Sequence, residues 1–172
     1  ASRLPTMEAS ARNLLLNQRI SLDNIWLAPG PWKACNASPD FDVFRRNGVA
    51  MGLDLSARTD LTAAVIAAQD EDGVVHVHPF VFTPEQGLRE RAQRDRAPYD
   101  TWCRDGQMIA VPGSSIDYDY VSTYLRDALD DMDININQIC FDRWRIDIFK
   151  KAAEECGFAQ MAEWLPVGQG FK

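Results

Sequence analysis

Two aspartates at the ends of apolar runs are the residues best placed to do chemistry in this chain. Asp54 closes Val49-Ala50-Met51-Gly52-Leu53, and Asp142 closes Ile139-Cys140-Phe141. Alternate residues of a strand face opposite sides, so Val49, Met51 and Leu53 share one face and Ala50, Gly52 and Asp54 the other. A carboxylate carried into a sheet is costly unless it is paired or bound to a metal. If these two strands are neighbours, both carboxylates converge on one sheet edge. Two hard oxygen donors there suit Mg²⁺ or Mn²⁺, which can activate water for attack on a phosphodiester. A plainer reading stays open, in which each aspartate caps a turn or pairs with a nearby arginine.

Other polar residues have competing readings. His76 and His78 lie two apart on one strand face, yet with no cysteine beside them a solvated face is favoured over a metal pair. Arg89, Arg91, Arg94 and Arg96 form the basic cluster, interleaved with Glu90 and Asp95, and read as a solvated helix with internal ion pairs or as a rim tracking phosphates. Asp117 and Asp119 suit a helix cap. Asp127, Asp130, Asp131 and Asp133 spread over several helix faces and lack the glycine turn and closing glutamate of a calcium loop. Ser56 is no candidate nucleophile, because neither histidine has a triad context.

Elements must position these groups. The 172 residues have ordinary globular composition, with 46% hydrophobic residues, which fits one compact domain. A net charge of −7 argues against a protein that coats nucleic acid non-specifically, so any such contact is local. No apolar run approaches the ~20 residues that cross a bilayer. The four cysteines make no C-x-x-C pair, and no secretory signal is visible, so reduced thiols in a cytoplasmic setting are expected.

The patterning predicts a helix over 7–19, then a connector over 21–40 anchored by Trp26 and Trp32. Strands follow over 49–54, 61–68 and 74–82, with a hairpin turn at Asp70-Glu71-Asp72-Gly73. Helices are predicted over 86–96, continuing through 99–103, over 120–132 and over 146–156, the last closed by Gly157. Strands at 108–111, 134–141 and 159–165 complete the order β-β-β-α-β-α-β-α-β. Three hairpin-connected strands followed by βα units make an α/β fold, a mixed sheet with helices on its faces. That order matches a ribonuclease-H-like fold, and an actin-like or sugar-kinase-like nucleotide binder shares it.

The segment Gly52-Leu53-Asp54-Leu55-Ser56-Ala57-Arg58-Thr59-Asp60-Leu61-Thr62-Ala63 resembles the opening of the nuclease domain of the large terminase subunit of tailed double-stranded-DNA phages. Further similarities follow in order: Asn17 and Trp32 to Cys35 in the lead-in, Gly113-Ser114-Ser115-Ile116-Asp117-Tyr118, Phe141-Asp142-Arg143-Trp144, and Val167-Gly168-Gln169-Gly170-Phe171. The resemblance implies a ribonuclease-H-like nuclease that cuts concatemeric phage DNA with two divalent ions, Mg²⁺ or Mn²⁺. Asp54 would bridge the ions and Asp142 would hold one of them. It implies double-stranded DNA, the small terminase subunit and the portal as partners, no membrane, and the host cytoplasm as location. Residues 1–46 then read as linker helix and connector from a preceding ATPase domain, and 47–172 as the nuclease domain.

Two departures shape the expectation. No G-x-x-x-x-G-K-[ST] loop occurs, so the packaging motor's ATP site is not in this chain. The family's third acidic ligand lies beyond the Gly-Gln-Gly-Phe segment, so the nuclease domain is expected to lack its C-terminal part. A substitute such as Asp60 or Asp147, acting as an outer ligand, is the alternative. Arg89, Arg91, Arg94, Arg143 and Arg145 are the candidate DNA contacts, although Arg143 and Arg145 could simply hold Asp142 in place. A non-catalytic docking module of the packaging machine is a further alternative.

Overall fold

The computed structural model describes residues 29–56, 60–143, 146–160 and 162–168. The chain divides into two units, Ala1–Ser38 and Pro39–Lys172. The described part of the first holds a short helix, α1 (Pro29–Ala34), opened by a proline whose fixed φ suits a first helical position. Trp32 on it is 70% exposed, so it is not the buried anchor that the connector's composition suggests. The helix expected over 7–19, and Trp26, lie outside the described residues.

The second unit opens with α2 (Phe41–Arg46), which the periodicity of so short a segment did not announce. Asp40 caps it by accepting from the Asp42 amide at 2.9 Å, and Val43 and Phe44 enter the core. The strands are β1 (Val49–Asp54), β2 (Thr62–Gln69), β3 (Val75–Pro84), β4 (Ile109–Val111), β5 (Ile136–Phe141) and β6 (Glu163–Pro166). Between β3 and β4 run α3 (Leu88–Asp95) and α4 (Tyr99–Arg104). Helix α5 (Tyr118–Met132) precedes β5, and α6 (Ile146–Cys156) precedes β6. Gly157 takes φ +79° after α6 and Ala159 φ +52°. That turn delays β6 to Glu163, four residues later than the sequence pattern suggests.

The sheet has six strands in the order β4-β3-β2-β1-β5-β6. Neighbours β1 and β2, and β2 and β3, are antiparallel hairpin partners, whereas β3–β4, β1–β5 and β5–β6 are parallel and need helical crossovers. This is the α/β, ribonuclease-H-like architecture expected from the element order. The β2–β3 turn is made by Asp70, whose carboxylate accepts from the Asp72 and Val74 amides at 3.0 and 2.8 Å. Gly73 supplies the positive φ of 81° that other residues resist.

Alternation sorts the strands into two faces. Val49, Met51, Leu53, Ala64, Ile66, Phe80, Phe82, Ile139 and Phe141 join Val121, Leu125 and Leu129 of α5 and Phe149 and Ala153 of α6 in one buried cluster. His76 and His78 pair with Ala68 and Ile66 and so face this side. They are half-buried, not solvated as their spacing suggested. The His78 ring lies 5.3 Å from Phe41 and 4.9 Å from Phe80. His76 Nδ1 accepts from the Asp40 amide at 3.0 Å, so its other nitrogen, Nε2, donates to Asp70 Oδ2 at 3.1 Å. That bond is the main cause holding the Asp70 carboxyl below its ordinary value.

Candidate active site

The second face carries Ala50, Gly52 and Asp54 of β1, Ala63, Val65 and Ala67 of β2, and Cys140 of β5. Its β1 positions are half-buried or exposed, and those of β2 and β5 half-buried. Helix α3 reaches this face at the β3 end. Arg91 bonds Thr83, which by alternation points away from the core residue Phe82.

The two aspartates meet on this face. In the parallel β1–β5 pairing Gly52 stands opposite Cys140 and Leu53 opposite Phe141, so the next residues, Asp54 and Asp142, lie side by side. Adjacent strands are about 4.8 Å apart, within reach of one shared cation. The register depends on an irregularity between Val49 and Ala50, where β5 inserts one extra residue, Asn137. A straight strand would turn Gln138 inward and Phe141 outward. The bulge absorbs Asn137, and Ile136, Ile139 and Phe141 all face the core while Asp142 falls beside Asp54. Asn137 Oδ1 accepts the Val49 amide at 2.8 Å, satisfying a donor that the bulge would otherwise strand.

The aspartates border a shallow pocket of ≈ 350 Å³, lined also by Gly52, Leu53, Ala63, Val65, Cys140, Phe141 and Val167. A Cβ on Gly52 would meet nothing within 4 Å, so the glycine leaves this floor open and is not forced by backbone strain. Val167 closes the β5 side through its amide, which donates to Phe141 O at 2.8 Å. A larger cavity of ≈ 470 Å³ lies where β5 begins, but it brings in one carboxylate, Asp130, and no second.

The backbone just beyond Asp54 is pinned. The Ser56 amide donates to Thr62 Oγ1 at 2.9 Å, and Ser56 O accepts from the Tyr118 hydroxyl at 2.9 Å. The Tyr118 ring lies 5.8 Å from Phe149, on the helix that follows Asp142. One buried tyrosine therefore spans the two carboxylate-bearing segments. The Ser56 hydroxyl is buried and has no hydrogen-bond partner among the described residues.

The remaining candidates separate. Asp60 is exposed just before β2, and its charge acts on Arg94. Asp147 is exposed in the first turn of α6. Neither lines the pocket, and among the described residues no three His, Cys, Asp or Glu side chains form a metal-holding group. Asp54 and Asp142 match Mg²⁺ or Mn²⁺ in donor chemistry, as adjacent hard oxygen ligands open to solvent on one side.

The basic residues take different roles. Arg91 is 7% exposed; its guanidinium donates to Thr83 Oγ1 at 3.0 Å, to Gln86 O at 2.7 Å and to Pro84 O. It is an internal strut between α3 and the end of β3, and burial removes it from the candidate DNA contacts. Arg94 bonds both carboxylate oxygens of Asp95 at 2.7 and 3.0 Å, which holds the Asp95 carboxyl below its usual range. Arg89 and Arg143 are exposed, and Arg145 lies outside the described residues. Lys150 holds its ammonium 4.7 Å from the Phe141 ring centroid, on the helix-covered face of the sheet.

Comparison with known proteins gives consistent findings. The pattern of the family described as terminase large subunit, endonuclease domain, matches residues 8–172. The large terminase subunit of Enterobacteria phage HK97 is 43% identical over 175 residues, covering 100% of this chain and 33% of that protein. The crystal structure of the HK97 bacteriophage large terminase aligns with TM-score 0.76 at 41% identity, covering 98% of this chain and 34% of that one. The chain thus spans about a third of the length of the relative it matches.

Proposed function

Since the chain belongs to the terminase large subunit endonuclease domain family, we propose that it hydrolyses phosphodiester bonds of double-stranded DNA at the Asp54–Asp142 edge. The observation that carries this reading is the β1–β5 register, which sets the two aspartates side by side on the open face. Both would hold divalent ions, Mg²⁺ or Mn²⁺. Bound there, the ions would lower the pKa of a water and neutralise charge on the leaving oxygen.

The chain's own residues do the rest. Asp54 and Asp142 concentrate negative charge where cations must collect, and the small residues Gly52, Ala63 and Cys140 keep the floor low enough for a bulky backbone to approach. Tyr118 and Thr62 hold the backbone beyond Asp54, which fixes the direction of its carboxylate without contacting substrate. A preset geometry of this kind lowers the entropy lost in reaching the reactive arrangement. The natural substrate would be concatemeric viral DNA, cut in the host cytoplasm as capsids fill, with the small terminase subunit and the portal as partners.

Nicking of supercoiled plasmid in Mg²⁺, Mn²⁺ or EDTA tests the reading. Asp54→Asn and Asp142→Asn should each lower cutting at least about a thousandfold, roughly 4 kcal/mol of barrier, with an unchanged thermal midpoint. Metal-dependent nicking by either purified variant at the unaltered rate would sink the assignment.

A further inference from the structure

Helix α3 flanks the open face on its β3 side, and the strand registers set how close it comes to the aspartates. Asp54 pairs with Ala63 and Ala63 with Val81, so the Cα of Thr83, two residues further along β3, lies about 12 Å from that of Asp54 at ordinary strand spacing and rise. Arg91 ties α3 to that threonine from the open side. Residues three apart are neighbours on a helix surface, so Arg94 stands beside Arg91. Its direction is given by Asp60, whose charge acts on Arg94. Asp60 leads into β2, and β2 lies between β3 and β1. Arg94 therefore leans from α3 toward the strand that carries Asp54.

The Arg94 side chain is 59% exposed and pairs with Asp95 in a way that leaves donors over. Nε donates to Asp95 Oδ1 at 2.7 Å and Nη2 to Oδ2 at 3.0 Å, and the Tyr99 hydroxyl donates to Oδ2 at 3.2 Å. A guanidinium has five N–H donors. Two are spent on this carboxylate, and among the described residues Nη1 has no acceptor. Two parallel bonds fix the guanidinium plane, so the unspent edge has a set direction and little rotamer freedom left to lose. Arg126 makes the contrast. It pairs with Asp127 through Nε and Nη2 and spends Nη1 on Cys156 O at 2.8 Å, and it stands on α5, which packs on the covered face.

We propose that Arg94, held in place by Asp95, binds a backbone phosphate of the duplex engaged at Asp54 and Asp142. The proposal rests on the nuclease reading. A duplex with one phosphodiester at that pair presents others across a groove about 6–12 Å wide, which matches the span from Asp54 to α3. The contact reads charge and not base identity, so it adds affinity and sets how the duplex lies, whatever the sequence. Because Asp95 cancels the charge at longer range, the contribution comes from the Nη1 donors at contact and not from steering.

Binding of a short DNA duplex in EDTA, which prevents cutting, is the test. The double variant Arg94→Gln/Asp95→Asn removes one charge of each sign, so the net charge stays at −7 and any loss is local. It should bind about tenfold more weakly, the share of one charge-assisted hydrogen bond, with an unchanged thermal midpoint. The matching double variant on α5, Arg126→Gln/Asp127→Asn, should bind as the unaltered protein does. Undiminished affinity in the Arg94→Gln/Asp95→Asn variant overturns the proposal, because the two residues would then form an ion pair closed on itself. An equal loss in the α5 variant overturns it too, because the effect would not belong to the open face. If the variants differ as expected but the unaltered protein never nicks plasmid in metal, the nuclease reading fails while the phosphate contact stands.

Discussion

The two faces of the sheet are made by alternate residues of the same strands, yet they are built for opposite purposes. On the covered face Met51, Ile66, Phe82 and Ile139 are fully buried against α5 and α6. On the other face the same strands carry Ala50, Gly52, Ala63, Val65, Ala67 and Cys140, smaller side chains over which no residue of α5 or α6 closes. The difference teaches where a carboxylate can be afforded. On the first face Asp54 would be pressed against aromatic and aliphatic side chains at a cost of several kcal/mol, whereas on the second it keeps its hydration until a ligand arrives.

Met51 and Gly52, adjacent in sequence and on opposite faces, give the largest contrast in stability. Met51→Ala should cost about 2–5 kcal/mol in urea unfolding, because a cavity opens in a packed core. Gly52→Ala should stabilise by roughly 0.5–1 kcal/mol, since its new methyl meets nothing and the unfolded chain loses freedom. Equal effects at the two positions would erase the distinction between the faces.

Arg91 offers the next largest effect. As an internal strut it should cost about 1–3 kcal/mol on replacement by methionine, through the buried carbonyls and hydroxyl left without donors, with duplex affinity unchanged. A variant of wild-type stability and weakened DNA binding would return Arg91 to the surface role its sequence context suggested.

The smallest effect is a pH dependence on the covered face. Burial between Phe41 and Phe80 lowers the His78 pKa below the ordinary histidine value. The unfolded chain therefore takes up a proton first as pH falls through about 6.5, and the folded state loses stability from there down to its own lower pKa. His78→Phe should flatten the fall of thermal midpoint across that window. An unchanged slope on acidification would assign the dependence to other groups.

Much of this was legible in one dimension. The alternation in Val49–Asp54, the helical spacing of Val121, Leu125 and Leu129, the Asp117 cap and the glycine after Cys156 are local patterns, and each appears where the pattern puts it. Helix α2 was not legible, because six residues are too few for periodicity and its stability comes from Val43 and Phe44 docking on strands far along the chain. The histidines were misplaced for a related reason: their two-residue spacing says that they share a face, and only the pairing with Ile66 and Ala68 says which.

The sequence by itself determined the order of the strands and the longer helices, the residues sharing a face within each strand that has no bulge, and the position of Asp54 and Asp142 at strand ends. These follow from covalent geometry and side-chain period, which act over a few residues. Tertiary structure alone decided that β1 and β5 are neighbours, that the Asn137 bulge brings Asp142 level with Asp54, that Arg91 turns inward, and that Lys150 rests on Phe141 and Trp164. Those outcomes depend on which distant surfaces exclude water from one another. The two polar residues Asn137 and Gln138 between apolar neighbours signal that the alternation breaks, but only the partner strand chooses the residue that bulges.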